Sequence, residues 1–481
     1  MEKLVSLALS VLRDLGAEFG EARVERRVDE SVRTKNLEVE VLSRRESAGI
    51  GIRVLYKGAW GFAATSDLSE AGIRRAAEQA LAIAKASATL LREPVRLAPE
   101  PVHRGTYVTP VEKDPLSVPI QEKLALLFAA AERILKVPGI VMAKGSMAAW
   151  RIEKWFGNTE GSEIHQVITS SGAGIEAYAA KPGEMQKRSF PNSFGGDFAN
   201  AGYEFVESLG LVENAERIAE EAVALLSAPV CPTGVFDVII DGSQMALQVH
   251  ESLGHPSELD RVLGTELSYA GGSFLTLEKL GKFRYGSEIV NIVADATAPG
   301  GLGTFGYDDE GVEAQRVDLV REGVFVGYLS SRETAGKLGL PRSSGAARAS
   351  SWARIPLVRM TNINLLPGKG RLADLIADTE YGIYFETNKS WSIDDRRVNF
   401  QFGTEIAWEI KNGKKVRMLK NALYTGITPE FWGSCVAIAG PEEWRLWGLP
   451  NCGKGEPGQV MQVGHGAAPA KFKNVQVRGA A

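Results

Sequence analysis

The chain has 481 residues and a mass of 51.9 kDa, too long for one ordinary hydrophobic core, so two domains are expected. Hydrophobic residues make up 44% and charged residues 24%, the balance of a globular protein rather than a disordered or fibrous one. Lys and Arg number 55 against 59 Asp and Glu, a formal charge of −4, so no basic surplus points to nucleic acid or an anionic membrane.

Residues 1–15 read as an amphipathic helix: Leu4 and Val5 continue into Leu7, Leu9, Leu12 and Leu15, with Arg13 and Asp14 breaking the apolar stretch. It lacks the uniform apolar run of a signal peptide, and no segment reaches the roughly 20 apolar residues of a membrane span, so a soluble cytoplasmic protein is expected. Strands are predicted near 20–30, 36–43 and 50–56, the last ending in a hairpin turn at Lys57-Gly58. Asp67 is predicted to cap a helix running to Ala88. Six prolines between Pro94 and Pro119 then predict a linker, near 93–119, without regular structure. A helix over 120–136, a β meander over 138–180 and a long helix over 204–227 follow. Beyond Pro229-Val230-Cys231-Pro232 strands dominate, at 235–240, 289–294, 316–320 with 324–329, and 404–410 with 416–419 across Asn412-Gly413, a strong hairpin signal. The expected fold class is α+β: an N-terminal α/β domain (1–227), with helices packed on an antiparallel sheet, and a β-rich C-terminal domain (228–481) carrying any metal site.

Three cysteines and five histidines leave few strong metal ligands. Two of them frame His250-Glu251-Ser252-Leu253-Gly254-His255-Pro256. Zinc peptidases commonly place two histidines four apart on one helix, so that both imidazoles face the same way. A five-residue spacing on a continuous α-helix turns them apart by about 140°. Gly254, at a left-handed C-cap position, and Pro256, which disfavours the α region at His255, predict instead that the helix ends near Leu253 or is distorted there. His255 can then curl back toward the metal while Glu251 reaches a water. A catalytic zinc needs a third protein ligand. The candidates are His103, His165, His465, Cys231, Cys435, Cys452 or a carboxylate. Cys452 lies in Asn451-Cys452-Gly453-Lys454-Gly455, which predicts an accessible sulfur with Lys454 favouring the thiolate. Cys435 reads as part of a buried strand.

These residues, with Gly306-Tyr307-Asp308-Asp309-Glu310-Gly311, Arg359-Met360-Thr361-Asn362, Glu386-Thr387-Asn388-Lys389-Ser390-Trp391-Ser392-Ile393-Asp394-Asp395-Arg396-Arg397 and Asn451-Cys452-Gly453-Lys454, resemble the TldD/PmbA family, known also as modulators of DNA gyrase, and its metal-bearing TldD branch in particular. The resemblance implies a zinc (Zn2+) metallopeptidase acting on short or unfolded polypeptides. It implies His250, His255 and Cys452 as metal ligands and Glu251 as general base. It also implies a homodimer, or a heterodimer with a metal-free TldE-like paralogue that lacks the histidine motif. His465 departs from the family pattern and is a further possible ligand.

Tyr307, Arg348 and Arg354 are candidates for oxyanion stabilisation, each with a structural alternative. Gly301-Leu302-Gly303-Thr304-Phe305-Gly306 fits a dinucleotide fingerprint but is followed by acidic turn residues, not a helix. Gly448 to Lys454 resembles a P-loop without its Ser or Thr. Trp391, Trp408, Trp432, Trp444 and Trp447 are expected in the core, and Asp308-Asp309-Glu310 in a solvated turn. The competing reading is a non-catalytic scaffold whose metal site is closed by a fourth ligand, His465 or Cys435.

Overall fold

The computed structural model describes residues 1–479. The first half is one eight-stranded sheet with helices on one side. Its strands are β1 (Phe19–Lys35), β2 (Glu38–Tyr56), β3 (Ala59–Thr65), β4 (Arg104–Val108), β5 (Ile140–Asn158), β6 (Glu163–Lys181), β7 (Glu184–Phe190) and β8 (Asp197–Ala199), in the order β3-β2-β1-β5-β6-β4, with β7 and β8 also on β6. Strand β1 shows why the faces differ. Ala22, Val24 and Val32 point to the helices α1 (Glu2–Asp14), α2 (Glu70–Ala88), α3 (Ile120–Leu135) and α5 (Leu211–Ser227), whereas the alternate residues Glu21, Arg23 and Glu25 are buried against the C-terminal half. Among the described residues no helix is long and apolar enough to cross a membrane.

Several local expectations change. The strands predicted at 36–43 and 50–56 are one strand, β2, because Ser43–Gly49 continue to pair with β1. Ser69, not Asp67, caps α2: its hydroxyl accepts from the Gly72 amide, and Asp67 supports Ser69 instead. The proline-rich stretch holds β4, which lies parallel to β6 where no proline interrupts Arg104–Val108. The helix predicted over 204–227 is two, α4 (Tyr203–Ser208) and α5, separated by Gly210 at φ +68°.

The second half starts with β9 (Gly234–Ile240) and α6 (Gly242–Val249), capped by Asp241, whose carboxylate accepts from the Ser243 amide. The strands β10 (Ile292–Asp295), β11 (Arg316–Arg321) and β12 (Val324–Phe325), with β15 (Ile363–Leu365), make a small sheet, and β13 (Ala347–Arg348) pairs with β14 (Leu357–Val358). The largest C-terminal sheet contains β16 (Tyr381–Ile393), β17 (Asn399–Lys411), β18 (Lys414–Leu419), β19 (Ala422–Ile427), β20 (Cys435–Ile438) and β23 (Ala470–Gly479). Because β16 pairs with both β9 and β17, the order β16-β9-β23-β19-β17 closes into a barrel. The ribbon of β21 (Arg445–Lys454) and β22 (Gln459–Ala467) stands apart from the barrel sheet. Asn412 and Gly413 turn β17 into β18 with φ of 48° and 71°, as their side chains predict. The observed class is α+β, with a β-rich C-terminal half.

Asp308, Asp309 and Glu310 do not form a solvated turn: all three are buried where the two halves meet. Asp309 accepts from Lys154 Nζ at 2.9 Å and from the Ala349 amide, and Glu310 pairs with Arg53 at 2.7 Å. The sequence pattern hides this because the cationic partners, Lys154 and Arg53, lie more than 150 positions away. Trp432 is buried as expected, but Trp391 is 48% exposed.

Candidate metal centre

The stretch after α6 is distorted rather than ended. His250–Gly254 form a π turn and His255–Ser257 a 3₁₀ turn. The amide of His255 donates to the His250 carbonyl, five residues back. Gly254 (φ −52°, ψ −64°) and His255 (φ −61°, ψ −46°) keep right-handed helical angles, which corrects the predicted left-handed cap and the predicted escape of His255 from the α region. The widened turn provides the rotation that the five-residue spacing needs, since a π turn carries the i→i+5 hydrogen bond. The imidazole centroids lie 4.8 Å apart with perpendicular planes.

The β21–β22 ribbon brings Cys452 against this turn. Ligand atoms of His250, His255 and Cys452 all lie within 4.8 Å of one another, and the three side chains are buried. His255 Nε2 is 3.8 Å from Cys452 Sγ. Cys452 is a strand residue only 2% exposed, so its sulfur is not on an accessible loop. Burial acts to raise its pKa, but His255 and Arg359 outweigh it and draw the thiol below its usual value. Lys454 is not the thiolate's partner: its ammonium is buried among Asp260 (2.7 Å), Glu258 (3.2 Å) and Glu266 (3.6 Å).

Each imidazole is held from behind. His255 Nδ1 lies 3.0 Å from Glu258 Oε2, a carboxylate kept well below its ordinary pKa, despite burial, by Lys454 and His255. His250 Nδ1 lies 2.7 Å from His465 Nε2 on β22. Burial lowers the His250 pKa to about 4 and that of His465 well below 6.5, so both rings are neutral. In the tautomer that puts the shared proton on His250 Nδ1, its Nε2 carries a free lone pair, the state a metal requires. His465 therefore lies behind His250 and is not one of the three clustered donors. Neither is Cys435, a buried β20 thiol whose pKa burial pushes up to about 12, nor Cys231. His103 and His165 pair with Glu100 and Glu153 in the first half. The donor set of two imidazoles and one thiol of lowered pKa is of the chemical kind that holds zinc.

The three donors line a cleft of about 400 Å³ together with Glu251, Phe194, Trp391 and Arg397. Glu251 is buried and ion-paired with Arg397. Burial raises its pKa, but the Arg397 guanidinium leads the groups that bring the net value below the usual carboxylate range. Arg397 sits at φ +67°, in a turn that Asp394 braces by accepting from the Val398 and Asn399 amides at 2.9 Å. Its place in the site is visible from sequence only as part of the quoted Asp-Asp-Arg-Arg run. Glu258 could have been found from its i+3 spacing after His255. The proposed oxyanion candidates do not line the cleft: Arg348 donates to the Met360 and Gln462 carbonyls, Tyr307 packs on His103, and Arg354 is exposed.

Three family models match: the PmbA/TldA metallopeptidase domain 1 over residues 20–84, the central domain over 113–227 and the C-terminal domain over 233–479. A metalloprotease of Methanothermobacter thermautotrophicus is 31% identical over 472 residues, 98% of each chain. A zinc metalloprotease TldD homologue of Saccharolobus solfataricus is 25% identical, covering 97% of this chain and 98% of its own. Among solved structures, a proposed modulator of a DNA gyrase from Thermotoga maritima superimposes with a TM-score of 0.79 at 18% identity, covering 99% of this chain and 100% of that one. TldE from Thermococcus kodakarensis does so at 0.74 and 18%, over 100% of both chains. The chain belongs to the TldD/PmbA family of metallopeptidases.

Proposed function

We propose that this metallopeptidase is a zinc enzyme that hydrolyses peptide bonds in short or unfolded polypeptides, with His250, His255 and Cys452 as its metal ligands and Glu251 as its general base. The observation that carries this reading is the convergence of two oriented imidazoles and one thiol beside a buried carboxylate, all on the wall of one cleft. Held by His250, His255 and Cys452, zinc would supply Lewis acidity there, able to polarise a carbonyl and acidify a water. Glu251 takes that water's proton and returns it to the departing amine. Arg397 holds Glu251 in place through its guanidinium. Glu258 and His465 fix the ring orientation and tautomer of His255 and His250.

The scaffold reading requires a fourth protein donor. His465 is engaged behind His250 and Cys435 lies outside the cluster, which favours an open position instead. Extended substrates suit the surroundings, since Ser392 borders both the metal cleft and a neighbouring groove of about 550 Å³. We place the domain boundary at 228: among the described residues no sheet combines strands from both sides of it. As partner we infer a TldE-like metal-free paralogue, or a second copy of this chain, in keeping with the fold shared with the solved TldE. The test is digestion of an unstructured peptide mixture by zinc-loaded protein. Cleavage that a chelator stops and added zinc restores is the expected result; cleavage indifferent to both would overturn the assignment.

A further inference from the structure

We propose that Phe194 and Trp391 form the subsite that grips a large apolar or aromatic side chain beside the scissile bond, so that substrates are selected by an apolar residue there and not by charge. This rests on the peptidase reading above and names its specificity.

Trp391 is the only tryptophan among the exposed large apolar residues of the described chain, and it faces the cleft that holds His250, Glu251, His255 and Cys452. Phe194 meets it edge to face, with centroids 5.6 Å apart and planes at 68°. The two rings come from opposite halves of the sequence, and the backbone that carries each is held. Trp391 is on β16, where it pairs with Phe402 of β17. Phe194 sits in a turn whose amide donates to Asn192 Oδ1 at 2.8 Å, and the following Gly195 carbonyl accepts from Ser146 Oγ at 2.8 Å. Leu247, Ile393 and Leu449 extend the same wall.

Apolar surface held open to water in a cleft is less stable than when buried. A substrate side chain that covers the two rings gains from that burial, and their edge-to-face contact already sets one wall of the pocket. The polar side of the cleft offers no rival selector. Its guanidinium, Arg397, is paired with Glu251, so neither an acidic nor a basic substrate residue meets an uncompensated charge there. The remaining polar wall consists of the metal donors and neutral side chains. Discrimination between an aromatic side chain and alanine in such a pocket is expected to be tenfold or more.

The experiment has two arms on the full chain. In the first, zinc-loaded protein digests a peptide mixture and the cut sites are mapped by mass spectrometry. In the second, binding of a peptide series carrying Phe, Leu, Ala, Glu or Lys at one position is measured by calorimetry with chelator present, where turnover is stopped. The expected result is cuts flanked on one consistent side by Phe, Tyr, Trp, Leu or Met, and at least tenfold tighter binding of the Phe peptide than of the Ala peptide. Trp391→Ala and Phe194→Ala should each remove most of that ratio, and Trp391→Phe should restore part of it. Equal binding of Phe and Ala peptides, a preference for Glu or Lys, or an unchanged ratio in both alanine variants would overturn the subsite. Selective binding without any hydrolysis would leave the subsite standing and remove the peptidase reading, whereas hydrolysis without selectivity would do the reverse.

Discussion

Nδ1 of His250 and Nε2 of His465 lie 2.7 Å apart, although 215 positions separate the residues in sequence. This contact engages Nδ1 of His250 and leaves Nε2 as its remaining ring nitrogen. Together with the 3.0 Å contact between His255 and Glu258, it makes the two imidazoles a preset pair.

The first prediction follows from that arrangement. Glu258→Gln and His465→Ala should each weaken zinc binding about 10- to 100-fold without abolishing it, because they remove orientation and not a ligand. Competition with a chromophoric chelator reads the affinity. In cobalt-substituted protein the thiolate-to-metal absorption should survive His465→Ala with its tetrahedral pattern intact. A change in coordination number would show His465 to be a ligand.

A second prediction concerns the buried charges that join the two halves. Burial opposes ionisation of Asp309, but Lys154 and Arg23 outweigh it and hold its pKa down to about 2. A carboxylate depressed in the folded state stabilises fully above its unfolded pKa of about 3.9. That stabilisation, about 2 to 3 kcal/mol, is lost as pH falls from about 4 toward 2. Asp309→Asn should therefore melt well below the unmodified protein at pH 6, and the gap should narrow steadily below pH 4. A gap that stayed constant with pH would assign the loss to packing alone.

Much of the architecture was legible because it depends on local pattern. The alternation in β1, the Lys57-Gly58 and Asn412-Gly413 turns and the amphipathic α1 all follow from side chains within a few residues of one another. The candidate metal cluster was legible because His250 and Cys452 lie in distinctive sequences. What closes the site was not. The π turn depends on one extra residue per turn, which side-chain periodicity over His250–His255 does not distinguish from a broken helix. Arg397 enters the cleft from a left-handed turn braced by Asp394, and Trp391 stays exposed beside it, through tertiary placement that no local pattern encodes. Asp308–Glu310 read as solvated because their cations, Arg53 and Lys154, come from the other half of the chain.

The most direct measurement compares Glu251→Gln with His250→Ala, recording zinc content and peptide turnover on the same preparations. Glu251→Gln is expected to retain stoichiometric zinc while turnover falls by about 10²- to 10⁴-fold, the usual contribution of a general base. His250→Ala is expected to lose both. Glu251→Gln protein that held zinc and cleaved peptides at the unmodified rate would contradict the account.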